Sequence, residues 1–256
     1  MIYGIDGKFL EVINEIKEYD ELIYGRFSQF KTINRETDNL LKFSNENIEI
    51  NINDNYKILK NRVVKTDIYV IINNVIAYLL DDKHNTFIHA TVVSKDNKGI
   101  LITGDFGQGK TTLAEEFENG GYEINSSDQT WLKIKENKLY QKLGSRFDIN
   151  NGRIRMLDEV KTNKVIEIER ILKIQGLCDN GEILYKEIDN EYYKVKNLSS
   201  FCNWSYAMPL FTDNIELFNI LKPVKEFLIN MAKTDVIVAE VRGDRKDILR
   251  KIKVRN

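Results

Sequence analysis

The sequence predicts an α/β protein built on a mixed sheet, with a small α+β segment in front of it. Three observations predict this class. The segment "GILITGDFGQGKTTLAEEF" has the pattern of an apolar strand, a glycine-rich loop and a helix. The residues after it are rich in short alternating patterns that are typical of strands, and the C-terminal part has the pattern of helix, buried strand and helix. We expect an α+β N-terminal segment over residues 1–65 and a larger domain over residues 66–256.

The N-terminal segment contains both kinds of periodicity. In "FLEVINEIKEY" the apolar residues Phe9, Val12, Ile13 and Ile16 recur at helical spacing, which predicts a helix. "NIEININDNYKIL" alternates like a strand. "DIYVIINNVIAYLLDD" places its isoleucines and leucines on one helical face, so we expect a core helix there.

The larger domain begins with two predicted strands, "TFIHATVV" and "GILIT", joined by a polar turn. A helix follows the glycine-rich loop and ends at Gly120 and Gly121. The next segments, "YEINSSDQTWLKI", "KVIEIERILKIQGL" and "GEILYKEIDNEYYKV", are predicted as strands, with a turn at residues 179–181. "IELFNILKPVKEFLINMAK" predicts a helix bent near Pro223, "DVIVAEV" a buried strand, and "RKDILRKIKV" a short basic helix.

The composition disfavours several functional classes. The 38 basic and 39 acidic residues leave a net charge of −1, so no global charge favours nucleic acid or an anionic membrane as a partner. Neither a signal peptide nor a run of roughly 20 apolar residues is present. The two cysteines, Cys178 and Cys202, lie outside any metal-binding spacing and fit a reducing compartment. We therefore expect a cytoplasmic protein that binds neither nucleic acid nor membrane.

The glycine-rich loop matches the phosphate-binding pattern G-x-x-x-x-G-K-[ST]. Glycines allow backbone amides to close on phosphate oxygens, and the following helix adds its unpaired amides. In this pattern Lys110 contacts the β and γ phosphates of ATP, and the Thr111 hydroxyl is a ligand of Mg²⁺. The alternative is a glycine-rich turn that binds no ligand. The predicted nucleotide-binding residues are Gly104, Asp105, Phe106, Gly107, Gln108, Gly109, Lys110, Thr111 and Thr112.

A phosphate site of this kind needs a further acidic group near the metal or the nucleophile. Asp128, in "YEINSSDQT", follows the first strand after the loop helix and is the preferred candidate for metal ligand or general base. Glu240, in "VIVAEV", follows four apolar residues and is the alternative. His89 lies in an apolar strand, where a lone histidine is more often a core residue than a catalytic one.

The segment "IHATVVSKDNKGILITGDFGQGKTTLAEEFENGGYEINSSDQ" resembles the catalytic core of HPr kinase/phosphorylase and its smaller relatives, a fold related to phosphoenolpyruvate carboxykinase. The match includes His89 fifteen positions before Gly104, the "GD" that opens the loop, and Gly120-Gly121-Tyr122 before the acidic strand end. The resemblance implies a P-loop kinase in which His89 faces the transferred phosphate and Asp128 binds metal or accepts the hydroxyl proton. Short relatives of this kind phosphorylate a serine hydroxyl of a peptide, and the resemblance also favours a homo-oligomer.

The chain departs from that family in two places. Where the family commonly has two adjacent aspartates, this chain has Ser127 and Asp128, and no counterpart of the family's glutamate-arginine-glycine loop is found. We expect an ATP- and Mg²⁺-dependent kinase that transfers the γ-phosphoryl group to a serine-type hydroxyl on a peptide or protein. Two alternatives stay open, a kinase of the same fold for a small molecule such as free serine, and a nucleotide-binding module without transfer activity. The sequence does not identify the acceptor.

Overall fold

A computed structural model of the chain describes residues 1–60, 65–80, 82–105, 107–150, 153–178, 183–198 and 224–253. Phe106, Cys202, the turn predicted at residues 179–181 and the bend predicted near Pro223 lie outside these residues. The described residues form two compact units, one up to residue 80 and one from residue 82 onward.

The N-terminal unit is a six-stranded sheet with helices. Its strands lie in the order β3-β1-β2-β4-β5-β6, and the pairing of β2 with β4 is parallel. The alternation of "NIEINI" is confirmed, because Ile48, Ile50 and Ile52 of β5 are buried. The elements are β1 (Ile2–Ile5), β2 (Lys8–Asn14), a 3-10 turn (Lys17–Tyr19), α1 (Asp20–Phe27), β3 (Lys31–Thr32), β4 (Leu40–Phe43), β5 (Asn47–Ile52), β6 (Asn55–Lys60) and α2 (Lys65–Leu80).

The helix predicted over "FLEVINEIKEY" is wrong, because most of this segment is strand β2. Strand β2 pairs with β1 on one side and with β4 on the other. Leu10 and Val12 are fully buried, whereas Phe9 and Ile13 are only half-buried. Burial therefore has the period of two that a strand requires, and pairing on both edges outweighs the helical spacing of the apolar residues.

Helix α2 forms over the predicted segment and belongs to the N-terminal unit. It contacts α1 and β5, and its apolar residues from Ile68 to Leu80 that were predicted as core are buried. The unit boundary therefore falls after this helix, whereas the sequence placed the division at residue 65.

The second unit carries a nine-stranded mixed sheet, so the predicted mixed α/β architecture is confirmed. Its elements are β7 (Asn85–Ile88), β8 (Thr91–Lys95), β9 (Lys98–Thr103), α3 (Lys110–Asn119), β10 (Glu123–Ser126), β11 (Thr130–Lys135), β12 (Lys138–Gly144), β13 (Phe147–Asn150), β14 (Arg153–Met156), α4 (Glu159–Thr162), β15 (Ile166–Leu177), β16 (Leu184–Glu187), α5 (Glu191–Leu198), α6 (described part 224–232), β17 (Ile237–Gly243) and α7 (Arg245–Lys253).

The centre of this sheet is the long strand β15. It pairs in parallel with β9 on one edge, and on its other edge it pairs first with β12 and then, in parallel, with β17. Strand β8 pairs antiparallel with both β9 and β10, so β9 and β10 run in the same direction. One face of the sheet packs against α3 and α7, and the opposite face packs against α5 and α6.

Three segments predicted as continuous strands are interrupted. "TFIHATVV" breaks at His89 and Ala90 into β7 and β8, because β7 pairs with β11 whereas β8 pairs with β9 and β10. "YEINSSDQTWLKI" breaks at residues 127–129 into β10 and β11 for the same reason. The third, "GEILYKEIDNEYYKV", ends in helix α5. Among the described residues, no helix is long and apolar enough to cross a bilayer.

Candidate functional site

The strand directions bring the candidate residues to one edge of the second sheet, which we call the loop edge. Strands β9, β10, β15 and β17 run in the same direction, so their carboxyl ends all lie there. Ligands of open α/β sheets bind outside the carboxyl ends of the strands. The glycine-rich segment follows β9 at this edge, and Asp128 follows β10.

His89 is placed by two strand pairings at once. Thr91, the first residue of β8, is opposite Ile102 of β9, so the break at His89 and Ala90 lies near the carboxyl end of β9, where the glycine loop begins. Ile88 of β7 is opposite Thr130 of β11, so the next residues along these strands are His89 and Gln129. The histidine therefore lies between the start of the loop and the Asp128 turn.

The loop after β9, which we call the glycine loop (Gly104, Asp105 and Gly107–Gly109), lies against the end of β15. A Cβ atom on Gly104 would lie 3.0 Å from the carbonyl oxygen of Ile174, and one on Gly109 would lie 2.5 Å from Cδ1 of Leu177. Gly109 also has a left-handed φ of 95°. Glycine is required at both positions because the backbone of the loop approaches β15 so closely.

The N-terminus of helix α3 has no side-chain cap. Its N-cap residue is Gly109, and the amide of Leu113 is the first to bond back, donating to Gly109 O at 2.9 Å. The amides of Lys110, Thr111 and Thr112 have no acceptor among the residues that the structure describes. Free amides at a helix N-terminus, together with the positive end of the helix dipole, form a binding site for an anion such as phosphate.

Lys110 places its ammonium group against the beginning of the loop. Nζ donates to the carbonyl oxygens of Gly104 at 2.9 Å and of Asp105 at 3.1 Å. The side chain is buried, and this burial lowers the pKa of Lys110 below its ordinary value, while the carboxylates of Asp128 and Asp105 oppose the shift. A second link across the loop is the Asp105 amide, which donates to Oε1 of Gln108 at 3.1 Å.

Asp128 lies at the centre of a tight turn that carries backbone strain. Its φ is 69°, and the amide of Gln129 donates to the carbonyl oxygen of Ser127 at 2.8 Å. A positive φ and a bond between the residues on either side are the features of the rare and strained γ-turn. Ser145 anchors the turn, because its carbonyl oxygen accepts from the Ser127 amide at 3.2 Å and its amide donates to Gln129 O at 2.9 Å. Strained residues of this kind are concentrated at functional sites.

The carboxylate of Asp128 contacts the imidazole of His89. Oδ1 of Asp128 lies 3.6 Å from Nδ1 of His89, and the side chains are 19% and 9% exposed. The structure therefore brings three predicted residues together at the loop edge, namely Lys110, Asp128 and His89.

The comparisons with known proteins show a likeness in fold that is distant. No family model matches the chain, and no curated protein matches it. Among the solved structures it is similar to the HPr(Ser) kinase/phosphatase from Coxiella burnetii, with 15% sequence identity over 66% of this chain and 97% of that chain and a TM-score of 0.37. This likeness is too distant to show a family, and the proposals below rest on the geometry of the loop edge.

The remaining predicted residues have the following places. Thr111 and Thr112 lie in the first turn of α3 and are half-buried. Glu240 of β17 also lies near the loop edge, where its Oε1 accepts from Nε2 of Gln175 at 3.0 Å. Among the described residues, no cluster of three or more histidine, cysteine or acidic side chains could hold a metal ion.

Two polar residues of the loop edge were missed in the sequence. Lys173 and Gln175 lie near the end of β15. Lys173 is opposite Thr103 of β9 and Glu240 of β17, and Gln175 lies at a shift in the register with β17. Nζ of Lys173 donates to Oδ1 of Asn197 on α5 at 2.9 Å. The available signal was their position, because polar residues at alternate positions in the otherwise apolar second half of a central strand require a local reason.

Proposed function

We propose that this protein is an ATP- and Mg²⁺-dependent kinase of the P-loop type, which transfers the γ-phosphoryl group to a serine-type hydroxyl on a peptide or protein. The observation that carries the proposal is the contact of 3.6 Å between Asp128 and His89 beside the loop that holds Lys110. In a carboxylate–imidazole pair near a phosphate-binding loop, the carboxylate can accept a proton and the imidazole can contact the transferred phosphoryl group.

The nucleotide phosphates fit the loop and the helix that follows it. The free amides of Lys110, Thr111 and Thr112 would donate to phosphate oxygens, and the Lys110 ammonium would contribute a positive charge. The ammonium group binds carbonyl oxygens of the same loop, and it would exchange these for phosphate oxygens when a nucleotide binds.

The Thr111 hydroxyl and the Asp128 carboxylate would hold Mg²⁺. Both are oxygen donors of the kind that this ion prefers, and Thr111 is half-buried in the first turn of α3. The ion would neutralise charge on the β and γ phosphates.

In the transfer step the acceptor oxygen forms a bond to the γ-phosphorus, and the bond from this phosphorus to the bridging oxygen of ADP breaks. As the alternative to holding the ion, the Asp128 carboxylate would accept the hydroxyl proton. His89 would face the transferred phosphoryl group and orient the Asp128 carboxylate. Most of the rate enhancement would come from positioning and charge stabilisation.

The alternative is a module that binds the nucleotide without transferring phosphate. It is favoured by the single carboxylate of the Ser127–Asp128 pair.

The experiment compares Lys110→Ala with the control Lys246→Ala, which removes an exposed lysine of α7. Transfer from labelled ATP to a panel of serine peptides and free serine should occur with wild type and the control, and should be lost in Lys110→Ala. Tight ATP binding without any phosphorylated product would support the module, and transfer to free serine alone would support a small-molecule kinase.

A further inference from the structure

The side chain of Ser126 spans the turn that carries Asp128. Ser126 is the last residue of β10 and is fully buried. Its hydroxyl donates to the carbonyl oxygen of Gln129, and its Oγ accepts from the amide of Ser145 at 3.1 Å. A serine hydroxyl can donate one hydrogen bond and accept others, so this one small group binds both partners at once. The Ser126 side chain therefore closes a ring around residues 127 and 128.

Asp128 is thus enclosed by two hydrogen bonds. The inner one is the bond of the γ-turn, from the amide of Gln129 to the carbonyl oxygen of Ser127 at 2.8 Å. The outer one is the bond from the Ser126 hydroxyl to the carbonyl oxygen of Gln129. A non-glycine residue with a φ of 69° persists where the surrounding structure compensates for the strain. The outer bond contributes to that compensation, and its shielding from water strengthens it.

The end of β12 determines where the Ser126 side chain lies. A Cβ atom on Gly144 would lie 1.9 Å from the carbonyl oxygen of Asn125 and 2.8 Å from Cβ of Ser126. Glycine at this position therefore allows β12 to approach β10 closely. Ser145, the next residue, donates to Oγ of Ser126. Packing between β10 and β12 therefore fixes the hydroxyl that closes the turn.

The same turn sets the position of the Asp128 carboxylate relative to His89. Oδ1 of Asp128 lies 3.6 Å from Nδ1 of His89. The imidazole belongs to the break between β7 and β8, whereas Ser126 belongs to β10. A change in the turn would therefore move the carboxylate and leave the backbone of His89 in place. A displacement of about 1 Å in a reacting group can cost about a hundredfold in rate.

We propose that Ser126 is a positioning residue, whose buried hydroxyl holds the Asp128 turn so that the carboxylate stays against His89. Ser126 acts through Asp128 and has no contact of its own with the nucleotide or the acceptor in this proposal. Its effect on phosphoryl transfer rests on the proposed kinase function. Its effect on the contact between the carboxylate and the imidazole does not, and the two effects are measured separately.

Ser126→Ala perturbs the turn selectively. When the hydroxyl is removed, the carbonyl oxygen of Gln129 and the amide of Ser145 still bind each other at 2.9 Å. Neither group is left buried without a partner, so the protein should still fold. The matched control is Ser145→Ala. It also removes a buried serine hydroxyl, but one that donates to the carbonyl oxygen of Phe147 at 3.2 Å and not to the turn.

The first measurement follows the histidine rings by NMR at one fixed pH, in labelled protein without nucleotide. The chain has two histidines, and His84 is exposed and lies at the opposite end of β7 from His89. Asp128→Asn sets the scale, because it removes the charge beside the His89 ring. Ser126→Ala should shift the His89 resonances in the same direction as Asp128→Asn does. The His84 resonances should not move in either variant, and Ser145→Ala should leave both rings unchanged.

The second measurement is steady-state transfer with a serine peptide and ATP. Ser126→Ala should lower kcat by about tenfold and leave the KM for ATP nearly unchanged, because Lys110 and the loop amides are not altered. Ser145→Ala should keep the kcat of wild type. Thermal unfolding of both variants is measured on the same samples, and similar Tm values would show that stability does not explain the difference in kcat.

Unchanged His89 resonances in Ser126→Ala would overturn the inference, as would an equal shift in Ser145→Ala. A wild-type kcat in Ser126→Ala, in a protein that does transfer phosphate, would also overturn it. If wild type phosphorylates no acceptor while the His89 resonances shift as expected, the kinase function is contradicted and the positioning role of Ser126 is supported. The two proposals can therefore fail independently.

Discussion

The imidazole Nδ1 of His89 lies 3.6 Å from Oδ1 of Asp128, and the two residues come from breaks between neighbouring strands. His89 occupies the break between β7 and β8, and Asp128 the break between β10 and β11. The pairing of β7 with β11 brings the two breaks together, and the pairing of β8 with β9 brings them to the glycine loop. The strand pairings of the second sheet therefore bring the imidazole and the carboxylate together.

Asp128→Asn tests the role of the carboxylate. The amide keeps the shape of the side chain but loses its charge and basicity, so single-turnover transfer at saturating ATP and Mg²⁺ should fall at least about a hundredfold. ATP affinity should fall less, since Lys110 and the loop amides remain. A rate within about tenfold of wild type, worth about 1.4 kcal/mol, would remove Asp128 from the mechanism and direct attention to Glu240.

The matched control for this variant is Asp96→Asn. Asp96 also has a left-handed φ, 52° compared with 69° for Asp128, so the control reproduces the backbone effect of asparagine at such a position. It lies in the exposed turn between β8 and β9, away from the loop edge. Its transfer rate should equal that of wild type.

His89→Gln tests whether the imidazole acts in transfer or only fills the core. If it faces the transferred group, kcat should fall by about tenfold or more, whereas the KM for ATP should change little. Thermal unfolding is measured on the same samples. A lower Tm with unchanged kcat would instead establish His89 as a core residue, which its 8% exposure alone would also fit.

The pKa of Lys110 gives a prediction for the pH dependence of ATP binding. Burial lowers this pKa from the ordinary value of 10.5, so the ammonium group of the free protein loses its proton at a lower pH than other lysines do. Because the phosphates favour the charged form, ATP affinity should decline as the pH rises through the lowered pKa of Lys110, and this decline should begin below pH 10.5. Titration of ATP affinity against pH, with Lys110→Arg as the control, checks this.

Arginine stays charged over the whole of that range, so the affinity of Lys110→Arg for ATP should be nearly independent of pH. An equal decline in both proteins would show that another group titrates. A decline in wild type that begins only above pH 10.5 would contradict the lowered pKa of Lys110.

The sequence was sufficient for the parts of the site that depend on local patterns. Strand β9, helix α3 and the loop between them follow from one short segment, because the glycines, the lysine and the apolar spacing all lie within it. The left-handed turn at Gly121 after α3 is also local. The breaks at His89 and Asp128 were not predictable in this way, because they depend on which distant strands β7 and β11 pair with.

Strand β2 is a second element whose structure depends on pairing with distant strands and not on its local pattern. Phe9, Val12 and Ile13 fit a helical stripe, whereas Leu10 and Val12 fit the alternation of a strand, and the local pattern cannot choose between the two. The buried side chains of Leu10 and Val12 show that tertiary pairing decides the choice. Lys173 became a candidate site residue only when the register with β9 and β17 placed it at the loop edge.

The last prediction concerns Ser127, which occupies the position of a second aspartate in the family that the sequence resembles. Ser127 is 4% exposed, and its amide is engaged with Ser145 O at 3.2 Å. A carboxylate introduced there would be buried next to Asp128, so desolvation and like-charge repulsion would raise the pKa of one of the two groups. We expect Ser127→Asp to lower the transfer rate and to reduce the free energy of unfolding, by about 1–3 kcal/mol at neutral pH.

Ser127→Asn is the control because it adds nearly the same volume without charge. The destabilisation of Ser127→Asp relative to this control should shrink as the pH is lowered and the carboxylate is protonated, since only the charged form is penalised by burial. Transfer that is faster in Ser127→Asp than in wild type, with Ser127→Asn unchanged, would show instead that the site lacks a second base and can use one.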